Sequence, residues 1–122
     1  MAIKKIYYYK NSEKYFMVIR QAGMENEFDY HDLSKNSLTT TQLDQMAVLA
    51  ESYEGLFDRE CEQYTSRQLD QAYLNEKDYR ELILEDNAFL KQPVVVADDQ
   101  IFIGDDEREL NRLAYFLDSG DE

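Results

Sequence analysis

The sequence predicts an α/β fold with a four-stranded mixed sheet, and three stretches carry that prediction. The opening "IKKIYYY" is aromatic and β-branched, and it runs straight into "EKYFMVIRQA", whose apolar residues fall at helical spacing. "ENEFDYHDL" then alternates polar and apolar, as a half-buried strand does. Near the other end, "QPVVVAD" and "IFI" flank a turn and lead into a last amphipathic stretch. The order is β-α-β, several helices, then β-β-α, which places a helical insertion of about residues 38–90 inside one sheet-forming domain spanning residues 1–122.

Each element has a local reason. Residues 3–9 form the first strand, and residues 13–22 form a helix that Gly23 ends as a natural C-cap. Tyr15, Phe16, Ile19 and Ala22 give that helix one apolar face. In the strand of residues 25–33, Phe28 and Tyr30 lie on one side, and the crossover implies parallel pairing with right-handed connection. "SKNSLTTT" interrupts with turn and cap residues. Residues 40–57 read as helix from Leu43, Met46, Ala47 and Ala50. Thr39 and Gln42 have capping-box spacing, Thr40 being the alternative cap, and Gly55 ends or bends the helix.

Residues 58–74 are ambiguous, with a short helix around 58–64. Asn75 caps "EKDYRELILEDN", where Tyr79, Leu82 and Ile83 make the stripe. The runs 92–98 and 101–103 form an antiparallel hairpin about a turn-like "DQ", closed by Gly104. Asp106 with Glu109 starts the final helix, whose stripe is Leu110, Leu113, Ala114 and Leu117, and residues 118–122 are a frayed tail.

Composition limits the function. Thirteen basic against 26 acidic residues leave a net charge of −13, so a nucleic-acid backbone is repelled over most of the surface. No apolar run reaches the ~18 residues of a membrane span, and the polar start shows no signal peptide. The single cysteine, Cys61, excludes an intramolecular disulfide and agrees with a reducing cytoplasm. Its neighbours Glu60 and Glu62, in a helical stretch, disfavour a thiolate. His31 is the only histidine and builds no His/Cys metal site by itself. The carboxylates of "ADDQ" and "GDDERE" lack EF-hand spacing and suit turns and caps. In Tyr7-Tyr8-Tyr9, alternation sends the middle ring to the opposite face, which reads as core packing rather than an RNA-stacking stripe.

Three segments carry a family resemblance. "YRELILEDNAFLKQPVVVADDQIFIG" has a helix, an N-x-x-L-K-x-P-like junction, a hydrophobic strand, a turn and a closing "IG". With "KKIYYYKN" and "SYEGLFDRECEQY", it resembles the arsenate reductase (ArsC)/Spx family over roughly residues 3–117. The resemblance implies a thioredoxin-like fold whose loop after the first strand carries a nucleophilic cysteine, commonly in a Cys-x-x-Cys arrangement. Here those positions are Ser12-Glu13-Lys14-Tyr15. The family chemistry needs a soft sulfur ionised near neutral pH, helped by a helix N-terminus. A serine hydroxyl stays protonated, has no base beside it in sequence and forms no disulfide.

The family's arginine before the proline, which helps hold the oxyanion in arsenate reductases, is Gln92, a hydrogen-bond donor without charge. A second family arginine matches Asp58, with Arg59 one residue later; on a helix that shift turns a side chain by about 100°. Pro93 is kept, and in thioredoxin-like folds this proline is usually cis and faces the active-site loop. The resemblance therefore implies a vestigial site of Asn11, Ser12, Tyr15, Arg59, Gln92 and Pro93, with no catalytic residue. Either Pro93 only shapes the turn into the strand, or, as the resemblance implies, a groove between the loop and Gln92-Pro93 holds an extended peptide by backbone hydrogen bonds. The expected function is a redox-inactive binding or regulatory module for a protein or peptide partner. Because Spx-like relatives contact RNA polymerase, a transcription-linked partner fits. The alternative is an oxidoreductase of the arsenate reductase or glutathione-linked type, using Cys61 or a substrate thiol such as glutathione. Non-redox chemistry by Ser12 or Tyr15 is a third reading.

Overall fold

The computed structural model describes residues 4–9, 12–104 and 106–119, Ser119 by its backbone only. They form two compact units, one of residues up to 34 and from 92 onward, the other of residues 35–91. No helix among the described residues is long and apolar enough to cross a membrane.

The first unit contains β1 (Lys4–Tyr8), α1 (Glu13–Gln21), β2 (Asp29–Asp32), β3 (Val94–Ala97), β4 (Gln100–Ile103) and α5 (Glu107–Ser119), with the numbers 2 to 4 of the helices lying in the second unit. Its sheet has the order β2-β1-β3-β4. β1 pairs parallel with β2 and antiparallel with β3, and β3 pairs antiparallel with β4, so the predicted four-stranded mixed sheet forms. Ile6 and Val95 face each other across β1 and β3, both fully buried. Tyr15, Ile19, Phe102, Leu113 and Leu117 complete the same core, which α1 and α5 cover. The tyrosine run alternates as expected: Tyr8 meets Phe16 of α1 edge-on at 5.2 Å, whereas Tyr7 packs against the His31 ring, also at 5.2 Å.

Three expectations in this unit are corrected. β2 starts only at Asp29, because Gly23 (φ +72°) ends α1 and the chain turns, Glu27 N–H donating to the Met24 carbonyl at 2.9 Å. Phe28, outside the strand, is buried, whereas Tyr30 is exposed and lies against Phe16; strand alternation does not extend through irregular backbone. In α5, Ala114 is exposed, and Phe116 packs on Phe102 at 5.6 Å instead. The larger ring fills the space that the methyl could not reach. In the hairpin, the turn is Asp98-Asp99, with Asp98 at φ +58°, and Gln100 already belongs to β4.

The second unit contains α2 (Thr40–Ala50), α3 (Glu62–Ser66) and α4 (Glu76–Glu85), joined by 3-10 turns at Glu54–Leu56, Leu69–Gln71 and Asn87–Phe89. Thr39 with Gln42, and Asn75 with Asp78, form reciprocal capping boxes. Phe57 is the centre of the aromatic packing, stacked on Phe89 at 5.2 Å and touching Tyr79 and Tyr64. Asn87 is buried and holds the unit's ends: its carbonyl accepts from Leu38 N–H at 2.8 Å, and its amide donates to the Ile83 carbonyl at 2.7 Å.

Two helix limits differ from expectation because side chains and a distant backbone carbonyl capture backbone N–H groups there. α2 stops at Ala50, with Glu51 in the left-handed region (φ +68°), rather than at Gly55. Glu76 accepts from both Tyr53 and Glu54 N–H, and Ser52 Oγ accepts from Gly55 N–H. The short helix starts at Glu62, not at 58, because Asp58 N–H is held by the Phe89 carbonyl and the Asp58 carboxylate takes Glu60 N–H.

Candidate functional site

The connection after β1 leads to Ser12, which occupies the N-cap of α1. Its carbonyl accepts from Phe16 N–H at 3.1 Å, but its side chain makes no capping bond. Ser12 is only 4% exposed, and among the described residues its Oγ has no hydrogen-bond partner. The Ser12 side chain is thus buried at the N-terminal end of α1, a place that favours negative charge. Asn11 lies outside the described residues.

Tyr15 is fully buried one turn further on, and its hydroxyl donates to the Gly104 carbonyl. Gly104 N–H in turn donates to the Pro93 carbonyl at 2.9 Å. Gly104 needs its φ of +85° to turn the chain out of β4 while offering both groups, which a residue with a Cβ adopts only under strain. Pro93 is buried and follows a cis Gln92-Pro93 peptide bond; Gln92 is half-buried. The first turn of α1 and the Gln92-Pro93 bend are therefore joined through one glycine. Tyr15 braces this arrangement from inside and presents no surface to a ligand.

The other two candidates belong to the second unit. Arg59 lies in the turn before α3, not on a helix, so the expected rotation about a helix axis does not apply. Its guanidinium donates to Glu54 at 2.8 Å and to the Tyr79 hydroxyl at 2.7 Å, and it covers the Tyr79 ring at 5.4 Å. The bond to Glu54 raises its already high pKa and commits its charge to a carboxylate of the same unit. Cys61 precedes α3 in extended conformation rather than within a helix. Burial pushes its thiol up, and the Asp58 and Asp86 carboxylates add to this, while backbone N–H groups of Tyr64 and Gln63 oppose it in part. A thiol in that setting is a poor nucleophile at neutral pH.

The model of the ArsC family matches residues 7–113, nearly the whole chain. The chain belongs to the ArsC family. Among solved structures, a protein described as YFFB superposes with a TM-score of 0.77 at 17% identity, covering 93% of this chain and 98% of its own. An arsenate reductase from Vibrio cholerae gives 0.71 at 13% identity, with coverages of 93% and 98%. An arsenate reductase (ArsC) related protein from Brucella melitensis gives 0.63 at 22% identity, with coverages of 93% and 94%. Identities this low show a shared fold and nothing finer. No curated protein matches the sequence.

The residue at the N-cap of α1 is a serine. Sequence reasoning named Ser12, Gln92 and Pro93 but gave Gly104 only the task of closing a hairpin. The signal was present in the "IG" that ends the family-like stretch, since a glycine after a strand marks a positive φ. What the sequence withheld is that Tyr15, 89 residues earlier, uses that glycine's carbonyl.

Proposed function

We propose that this ArsC-family protein performs no thiol redox chemistry and acts as a cytoplasmic binding or regulatory module. The observation that carries the reading is Ser12 at the N-cap of α1, in the position that the family motif gives to a cysteine. The groove beside that loop and the Gln92-Pro93 bend takes an extended protein or peptide segment through backbone hydrogen bonds. A partner in the transcription machinery fits the resemblance to Spx-like relatives. No metal or redox cofactor enters this reading. The vestigial site comprises Ser12, braced by Tyr15, with Gln92 and Pro93; Asn11 is assigned to it from the sequence alone, and Arg59 is spent on Glu54.

The opposing reading is an oxidoreductase of the arsenate reductase or glutathione-linked type, with Cys61 or glutathione supplying sulfur. The raised thiol of Cys61 speaks against it. The two are separated by turnover of arsenate and of a model disulfide, with glutathione or thioredoxin as reductant, for the wild type and Cys61→Ser. Both proteins are expected to be silent; turnover in either overturns the proposal, its loss in Cys61→Ser assigning the sulfur to Cys61 and its persistence assigning it to glutathione. In a binding assay with an identified partner, Cys61→Ser is expected to be neutral and a charge placed at Gln92 to weaken capture.

A further inference from the structure

The sheet has two edges, and the β4 edge is closed by side chains of α5. The β3–β4 register pairs Val95 with Phe102 and Val94 with Ile103, and Gly104 N–H reaches Pro93. In an antiparallel ladder the bonding direction alternates, so Phe102 and Gly104 point their backbone groups at β3, and Ile101 and Ile103 point theirs outward. Two of those outward groups are occupied. Ile103 N–H donates to Glu109 Oε2 at 2.9 Å, and the Ile101 carbonyl accepts from Arg112 at 2.7 Å. Glu109 and Arg112 are locked to each other at 2.8 Å, and the guanidinium lies 4.4 Å from the Phe102 ring centroid. Glu109 supplies the acceptor and Arg112 the donor that a neighbouring strand supplies with its own C=O and N–H.

The occupied pair has a further property. Around Phe102, the Ile101 carbonyl and the Ile103 N–H are complementary to each other when a second β4 lies antiparallel across a two-fold axis. Ile101 C=O of one copy then meets Ile103 N–H of the other, and the reverse bond forms at once. The edge is therefore self-complementary at the two groups that the ion pair holds.

We propose that Glu109 and Arg112 form a clip that shuts the β4 edge against strand pairing with a second copy of this chain. An open strand edge is a template for such pairing, and charged side chains are one way of blunting it. The clip acts by filling the hydrogen bonds themselves, which repulsion alone does not do. The net charge of −13 on each copy adds a second, salt-sensitive barrier.

The test compares wild type with Glu109→Ala/Arg112→Ala, which leaves the net charge unchanged. Light scattering after size exclusion is run across a concentration series in high salt, with circular dichroism as the check on folding. Wild type is expected at the 14.5 kDa monomer mass. The double variant is expected to move toward twice that mass, its self-association at least about tenfold tighter than that of wild type. Hydrogen exchange in the associated sample then shows Ile101 and Ile103 amides slowed relative to the dilute one. A folded double variant that stays monomeric overturns the proposal, as does association without slowing at those two amides, or a wild type that already dimerises through them. If the double variant does not fold, Glu109→Ala alone carries the same test, because it frees Ile103 N–H and leaves Arg112 stacked on Phe102.

Discussion

Tyr15→Ala is expected to destabilise the sheet-forming unit by about 3–5 kcal/mol, the range for removing a fully buried aromatic ring from a core. The ring is fully buried among Ile6, Ile19 and Val95, so its loss leaves a hole that the surrounding strands cannot close. Tyr15→Phe separates the second contribution. It keeps the ring and deletes only the hydroxyl that donates to Gly104, and it is expected to cost about 1–3 kcal/mol if the carbonyl is left without a donor. Urea unfolding at unchanged m-value reads both effects. A Tyr15→Ala protein within about 1 kcal/mol of wild type would show that the residue is not the brace described, since surface changes have effects of that size.

Asn87→Ala is expected to be the largest single loss in the helical unit. The amide holds two backbone groups, Leu38 N–H and the Ile83 carbonyl. Truncation leaves both without that partner, and each buried unsatisfied group costs roughly 1–3 kcal/mol, giving a loss of about 2–6 kcal/mol. The exposed Asn75→Ala, which removes a cap but opens no buried group, is expected to cost only ~1 kcal/mol. Chemical denaturation of the two variants side by side decides the point, and equal losses would mean that Asn87 is acting as an ordinary turn residue.

The difference between these two asparagines also shows what the sequence could tell. Asn75 is legible because its partner, Asp78, is three residues away and the spacing is that of a capping box. Asn87 looks like one more turn residue, since its partner at Leu38 is 49 residues distant. The same rule sorts the helix ends. Thr39 caps α2 as its spacing says, but the far end of that helix is set by Glu76, 23 residues beyond Tyr53, and no local pattern announces it. Pairing direction within the β-α-β opening and within the hairpin was legible, because those connections leave few alternatives, whereas the antiparallel pairing of β1 with β3 joins distant segments that no local pattern announces. At the site, that position 12 carries a hydroxyl and no sulfur is read directly from the sequence. The occupied state of Arg59 is half legible: Glu54 lies five residues before it, whereas the Tyr79 hydroxyl comes from another helix.

In the proposed binding module, the N-terminus of α1 keeps a setting that would activate a thiol at position 12. Two influences compete at Ser12: burial favours a neutral thiol, and the converging N–H groups of α1 favour a thiolate. The decisive protein is Ser12→Cys in a Cys61→Ser background, compared with wild type, so that each carries one thiol. Thiolate absorbance followed against pH is the measurement of choice, because a thiol this buried is slow to meet an alkylating reagent. The thiol at position 12 is expected to titrate at lower pH than Cys61. A thiol there that titrates with Cys61 or above it would show that the start of α1 offers no activating setting.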